Sequence, residues 1–360
     1  MKKILFIAAH RPDRSPSQRF RFEQYLDYLK ANGFDHDFSY LISEDDDKKF
    51  YSPGKLRTKT SIFLRSVWKR LRDTWRAGNY DIIFVQREAF LTGSTYFERK
   101  FKAAGAKLVY DFDDAIWNLD VSEGNRTFGW LKKPGKTVEL IALSDLVIAG
   151  NRYLADYAIH HNPNVVIVPT TIDTNRYKPV PRNTDGQICI GWSGSITTMK
   201  HFEYALPFLT ALKKKFGEKI KIKIIGDGAY MNETLGIRGI PWINNDEVKE
   251  LAEFDIGIMP LPDDEWAKGK CGLKGLQYMA LGIPTVMSPV GVNTEIISDG
   301  VNGFLATTTE EWVGCITRLI DSPALRAEIG AAARRTVEQK YSVDAWKDVY
   351  VQLMKNLASG

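Results

Sequence analysis

At 360 residues, with 44% hydrophobic and 26% charged positions, the chain has material for two domains or one large one and lies outside the disordered, collagen-like and disulfide-scaffold classes. Cys189, Cys271 and Cys315 are odd in number, far apart and without a Cys-x-x-Cys pair, which argues against a disulfide framework or a zinc site and fits a reducing cytoplasm. The net charge of +5 is local: residues 55–76 hold Lys55, Arg57, Lys59, Arg65, Lys69, Arg70, Arg72 and Arg76 against the single acid Asp73, an excess larger than that of the whole chain.

The N-terminal run has two lysines before an apolar stretch, but that stretch is too short for a signal peptide and His10 and Arg11 follow at once, so Lys3–Ala8 reads as a buried strand. His10–Gln18 is a polar loop leading into a helix over Arg19–Asn32. The basic segment is helical, with Leu64, Val67, Trp68, Leu71 and Trp75 on one apolar face. Flanked by Arg65, Lys69, Arg70 and Arg72, that Trp-bearing face suits an anionic membrane surface; the alternative is a surface helix that docks its apolar face on the sheet and solvates its bases. Nucleic acid is the weaker partner, since no interleaved aromatic platform accompanies the charge. No run is long enough for a transmembrane helix.

Asp81–Gln86 and Lys107–Asp111 are strands separated by a helix over Ser94–Ala104. Asp145–Ala149 and Val165–Pro169 flank a helix over Asn151–His160. Pro169–Pro181 has turn residues and no periodicity, which places a linker there. Ile188–Trp192, Ile220–Ile225, Asp255–Pro260 and Thr285–Ser288 then alternate with helices, among them His201–Phe216 and Asp246–Ala252. Helices over Ser322–Gly330 and Ala331–Lys340 precede Val343–Leu357. This rhythm implies parallel sheets covered on both faces. The expected α/β architecture is two doubly wound Rossmann-like domains facing a cleft, 1–172 and 173–340, with 341–360 crossing back to the first.

Residues 268–305 carry the densest signal. After the strand Asp255–Pro260, the helical spacing of Leu273, Leu276, Gln277, Ala280 and Leu281 starts near Gly272 and stops at Gly282-Ile283-Pro284. Free amides in the first turn, close approach at Gly269 and Gly272, and the cations Lys268, Lys270 and Lys274 make a site for a phosphorylated ligand. A second strand, Thr285–Ser288, ends in a turn that reaches Glu295. The carboxyl ends of parallel strands are where open sheets bind ligands. An ordinary βαβ unit with a capped helix is the plainer alternative.

These residues resemble glycosyltransferase family 4 on the GT-B fold. The resemblance rests on Gly191-Trp192-Ser193-Gly194-Ser195 with Lys200, Ile225-Gly226-Asp227-Gly228, Lys270-Cys271-Gly272-Leu273-Lys274, Gln277-Tyr278-Met279-Ala280-Leu281-Gly282-Ile283-Pro284, and Gly291 with Glu295, Gly300 and Gly303. The family's two glutamates seven residues apart are replaced by Gly269 and Gln277, and Ser195 stands where an Arg is usual. The Lys-Cys-Gly and Gln-Tyr-Met-Ala wording is similar to a subset of the family. The resemblance implies a nucleotide-sugar donor, with UDP- and GDP-sugars as first candidates, held by Gly194, Ser195, Lys200, Gly272, Leu273, Lys274 and Gln277, with Glu295 near the sugar. It also implies retention of anomeric configuration and no required cofactor or metal.

In the first half, Asp111, Asp113 and Asp114 end a strand and are candidates for orienting a sugar or acceptor hydroxyl. Asp111-Phe112-Asp113 also matches the Asp-x-Asp metal motif of GT-A enzymes, a fold that leaves the second-half motifs unexplained; helix capping is the structural alternative. Where GT-B relatives have a glycine-rich loop, this chain has Arg11, Ser17, Arg19 and Arg21, which suggests an anionic group on donor or acceptor. Gln86-Arg87-Glu88 closes a neighbouring strand.

The expected activity is transfer of a sugar from a nucleotide-diphosphate sugar to a saccharide or lipid-linked glycan in polysaccharide biosynthesis, in the cytoplasm or peripherally on the inner face of the cell membrane. The alternatives are a nucleotide-sugar epimerase on the same fold and a non-catalytic nucleotide-sugar-binding protein.

Overall fold

The computed structural model describes residues 1–51, 56–118, 133, 135–180 and 186–359. Lys55 of the basic segment and Pro181 of the linker lie outside them. The chain divides into two compact units, Met1–Pro169 with Trp346–Gly360, and Thr170–Ala345.

The first unit runs β1 (Lys2–His10), α1 (Pro16–Arg19), α2 (Leu26–Ala31), β2 (Phe34–Ile42), α3 (Glu44–Tyr51), α4 (Leu56–Arg76), β3 (Ile82–Gln86), α5 (Tyr96–Ala103), β4 (Lys107–Phe112), α6 (Gly135–Leu143), β5 (Leu146–Ala149), α7 (Arg152–Ile159) and β6 (Val165–Ile167). Its sheet is parallel in the order β2-β1-β3-β4-β5-β6. The apolar runs of β1 and β3 fill its centre, and Phe6 stacks on Phe22 at 4.9 Å and meets Phe84 at 5.1 Å. Strand β2 has no counterpart in the hydrophobic pattern, because as an edge strand it is only half covered and keeps Asp35, His36 and Asp37 partly in solvent. The helix expected over Arg19–Asn32 is broken. Gln18, Arg19, Phe20, Arg21 and Phe22 are buried at successive positions, which one face of a surface helix cannot achieve, so the chain leaves the helix and resumes in α2.

The second unit runs β7 (Ile188–Ser193), α8 (Met199–Phe202), α9 (Leu206–Phe216), β8 (Ile220–Gly226), β9 (Met231–Asn232), β10 (Ile237–Pro241), α10 (Glu247–Leu251), β11 (Ile256–Met259), α11 (Glu265–Lys268), α12 (Leu273–Ala280), β12 (Thr285–Met287), α13 (Asn293–Ile296), β13 (Phe304–Leu305), α14 (Thr309–Asp321) and α15 (Pro323–Thr336). Helix α16 (Val343–Ser359) contains the division between the units. The sheet order is β13-β12-β11-β7-β8-β10-β9, parallel except for the β9–β10 pair. The two helices expected on either side of Gly330 are one helix. Gly330 does not stop it; a Cβ there would sit 2.1 Å from the Gly282 carbonyl oxygen, so the glycine permits close packing of α15.

Close approach also sets α12. A Cβ at Gly257 of β11 would meet the Tyr278 ring at 2.4 Å, and one at Gly275 would meet the Met287 methyl at 1.8 Å. The Tyr278 hydroxyl accepts from the Ser193 backbone N–H at 2.7 Å and lies 2.8 Å from Ser193 Oγ. Helix α12 is thereby held flat on β11 and β12, its first turn at the carboxyl ends of β7 and β11. Gly257→Ala must push away the ring of Tyr278 near its own backbone, and we expect a loss of about 1–3 kcal/mol in urea unfolding; unchanged stability would show that α12 does not depend on this contact.

Candidate functional site

The first turn of α12 follows Gly272, whose φ of +70° is left-handed. A Cβ on Gly272 would also strike Ile296 Cδ1 at 2.3 Å, so both backbone and space call for glycine. The loop after β7 comes to the same place. Gly194 is wedged between the Trp192 indole and Thr198, where a Cβ would lie 2.2 Å and 2.6 Å from their atoms, and its N–H donates to Ile225 O at 2.9 Å. Ser195 N–H donates to Thr198 Oγ1 at 2.9 Å. Lys274 reaches back to this loop, with Nζ 3.4 Å from Thr198 Oγ1 and 4.3 Å above the Trp192 ring. The structure therefore brings Gly194, Ser195, Gly272, Leu273 and Lys274 together.

His201 of α8 reports the field there. Burial pushes its imidazole pKa down to about 4, and Lys274, Lys270 and Lys200 push in the same direction, in that order, with Asp264 opposing. Three lysines thus act on one buried ring beside a helix N-terminus. An anion is the ligand such a field favours.

Two buried polar atoms at this end have no protein partner, Trp192 Nε1 and Asn293 Oδ1. Asn293 was not singled out in the sequence. Its Nδ2 donates to Ser288 O at 3.0 Å, and its Oδ1 lies 3.7 Å from where a Gly272 Cβ would be. Its signal was the single amide in a turn between a strand and a carboxylate.

Glu295, expected beside the sugar, is turned elsewhere. Val292, which caps α13, and Asn293 and Ile296 on the helix are the residues nearest Gly272, while Glu295 is exposed and lines a cavity of about 480 Å³ with Ser298, Arg335, Gln339 and Lys340. Gln277, expected on a ribose hydroxyl, is buried and donates to Tyr177 Oη at 3.0 Å and Glu247 Oε1 at 3.1 Å. Glu247 also accepts from Tyr177 at 2.6 Å and from Trp242 Nε1 at 2.9 Å. Helical spacing correctly put Gln277 on α12 but could not show that its face turns inward.

In the first unit the candidate carboxylates are paired with arginines. Asp111 is buried and accepts from Arg21 Nη2 at 2.6 Å, while Arg21 also donates to Val168 O. Burial raises the Asp111 pKa and Arg21 opposes the shift. Such a pair is structural, which removes Arg21 from the phosphate-loop set and Asp111 from the catalytic set. Asp113 and Asp114 grip Arg87 at 2.8 Å and 2.5 Å, and Arg87 has φ +60°. Their side chains keep 13% and 14% exposure.

The arginine loop is tied to its own unit, although Arg11 and Arg14 keep 27% and 39% of their side chains exposed. Arg11 and Arg14 both donate to Asp47, Arg11 at 2.9 Å. Arg19 is buried with its guanidinium 4.5 Å from the Phe20 ring centre, and Ser17 lies 2.9 Å from Ser15 Oγ. Arg11 and Arg14 thus share the Asp47 carboxylate, a pairing that sequence distance concealed.

For a histidine whose folded pKa is depressed, stability present above the unfolded value of about 6.5 is lost as pH falls toward 4, on the order of 3 kcal/mol. NMR titration of His201 should show a neutral ring down to about pH 4, and inorganic pyrophosphate should raise that value by cancelling the lysine field. A titration near 6.5, unmoved by pyrophosphate, would contradict this electrostatic account. Arg21→Met leaves the Asp111 carboxylate buried without its guanidinium and should cost about 3–5 kcal/mol in urea unfolding. A change within experimental error would return Asp111 to the functional candidates.

Residues 187–322 match the family model described as Glycosyl transferases group 1. The D-inositol 3-phosphate glycosyltransferase of Rhodococcus erythropolis is 22% identical over 281 residues, 68% of this chain and 62% of that protein. An uncharacterized glycosyltransferase of Methanocaldococcus jannaschii is 27% identical over 171 residues, 44% of this chain and 43% of that one. The chain thus spans less than two thirds of the length of these curated relatives. Among solved structures, sucrose-phosphate synthase from Thermosynechococcus elongatus superimposes with a TM-score of 0.69 at 13% identity over 100% of both chains. Anabaena HepE, solved with UDP and glucose, gives 0.65 at 15% over 99% of both. These likenesses establish the two-domain α/β GT-B fold.

Proposed function

We propose that the chain is a glycosyltransferase that takes a sugar from a nucleotide-diphosphate sugar and passes it to a saccharide or lipid-linked glycan. The observation that carries this reading is the cluster at the start of α12, where Lys274 reaches the Gly194–Thr198 loop beside the left-handed Gly272, inside the segment that matches group 1 glycosyl transferases. A sugar leaves as its bond to the diphosphate breaks, and negative charge grows on the departing phosphate oxygen. Fixed amides and ammonium groups lower the barrier by being in place before that charge develops.

In this reading Lys200 and Lys274 hold the diphosphate, with the amides of Leu273 and its neighbours. Asn293, with its unpartnered Oδ1, accepts from a sugar hydroxyl in the place first expected of Glu295. Asp113 and Asp114, set by Arg87, are the candidate carboxylates of the Asp111–Asp114 group that keep some exposure, and they orient an acceptor hydroxyl. UDP-sugars are the first donors to test, since Anabaena HepE was solved with UDP-glucose. Transfer with retention, and membership of the family 4 subset marked by Lys270-Cys271-Gly272, belong to the same proposal.

Lys274→Ala should weaken binding of UDP or GDP by about tenfold or more in calorimetry, because a charge-assisted phosphate contact is lost. Equal affinity of variant and wild type would refute the site. With a UDP-sugar and saccharide acceptors, a transferred-sugar product is expected. Epimerised donor as the sole product, or donor binding without turnover, would instead favour the epimerase or the binding protein.

A further inference from the structure

Helix α4 shows two faces that its sequence pattern did not separate. Ile62, Ser66, Arg70 and Asp73 point inward and are buried. Arg70 is fully enclosed and donates to Ala8 O at 2.7 Å, Ala89 O at 2.6 Å, Ser39 Oγ at 2.9 Å and Asp73 Oδ2 at 2.9 Å. These bonds fix the roll of the helix about its axis. At about 100° per residue, the side opposite Arg70 carries Arg57, Leu64, Trp68, Arg72 and Trp75, with Arg65 at its margin.

That outer side is apolar and basic at once. Leu64, Trp68 and Trp75 are 61%, 57% and 72% exposed, and these are the exposed tryptophans among the described residues. Val67 and Leu71, expected on the same face, are half-buried and pack on the core of the first unit. The apolar face is therefore divided between docking inward and facing out. Trp68 and Trp75 lie two turns apart, so Leu64 to Trp75 forms a stripe on the order of 16 Å long. Arg57 and Arg72 are exposed beside it, and Arg65 keeps 60% of its side chain in solvent while touching Asp46 at 2.7 Å. The helix's acid, Asp73, faces inward and is held by Arg70 and Arg76.

We propose that this face docks the protein on an anionic lipid surface. Tryptophan places an apolar ring and a polar N–H at such an interface, leucine enters the acyl boundary, and arginine meets the phosphates. The charge complementarity is one-sided: the outward stripe has bases and no acid. No helix among the described residues is long and apolar enough to cross a membrane. The contributing residues differ from those expected from sequence. Arg70 is internal and Lys69 lies 4.1 Å over the Tyr40 ring, so the set becomes Leu64, Trp68 and Trp75 with Arg57, Arg65 and Arg72.

The test uses the full chain and vesicles of phosphatidylcholine with or without phosphatidylglycerol. Wild type should co-sediment with the anionic vesicles alone and be released by high salt. Both Trp68→Ser/Trp75→Ser and Arg57→Gln/Arg65→Gln/Arg72→Gln should reduce partitioning by about tenfold or more, with thermal melting unchanged because the altered side chains point outward. Should a variant fail to fold, quenching of wild-type tryptophan fluorescence by brominated anionic lipid provides the second measurement. Absent binding, equal binding by folded variants, or a solution dimer that Trp68→Ser/Trp75→Ser dissociates without any lipid binding would overturn the proposal.

Discussion

The second unit depends on how closely α12 lies on the sheet. Gly257 and Gly275 remove the side chains that would hold the helix away, and Tyr278 crosses the gap to bond Ser193 at the end of β7. One aromatic hydroxyl therefore ties the helix to the strand whose next residues, Gly194 and Ser195, form the opposing loop. With the helix lowered, Lys274 comes within reach of Thr198, and the first turn of the helix begins beside the same loop. An anion site in this position follows from packing as much as from charge.

The two units use their cations differently. In the first, Arg21, Arg70 and Arg87 each serve several acceptors, and their forked guanidinium groups hold loops and strand ends together. In the second, burial and then Lys274, Lys270 and Lys200 lower the pKa of the His201 imidazole, and Lys274 lies 4.3 Å over the Trp192 ring. Lysine suits that place because its ammonium is a mobile point charge that can follow a diphosphate, whereas an arginine committed to a buried carboxylate is structural.

That division also explains what could be read from the amino-acid sequence. The alternation of strands and helices and the start of α12 near Gly272 were legible, because they rest on periodicity and on backbone demands that glycine reveals, whereas the grouping of Gly194, Ser195 and Lys274 came from the family resemblance. The edge strand β2 was hidden by its polar residues, and the break after α1 by an unbroken buried run from Gln18 to Phe22 that includes polar side chains. Pairings across long sequence intervals were hidden too. Arg21 with Asp111, Arg11 with Asp47 and Gln277 with Glu247 each turned a candidate ligand contact into an internal one. Asn293 emerged only when α13 was seen to present it to Gly272 while Glu295 points to another cavity.

Hydrogen exchange on the full chain, with and without UDP, tests the central claim most directly. A diphosphate seated on the first turn of α12 should slow exchange in two segments distant in sequence, Ser193–Lys200 and Lys270–Leu276, in the same experiment. Protection elsewhere, with these two segments unchanged at saturating nucleotide, would contradict the account.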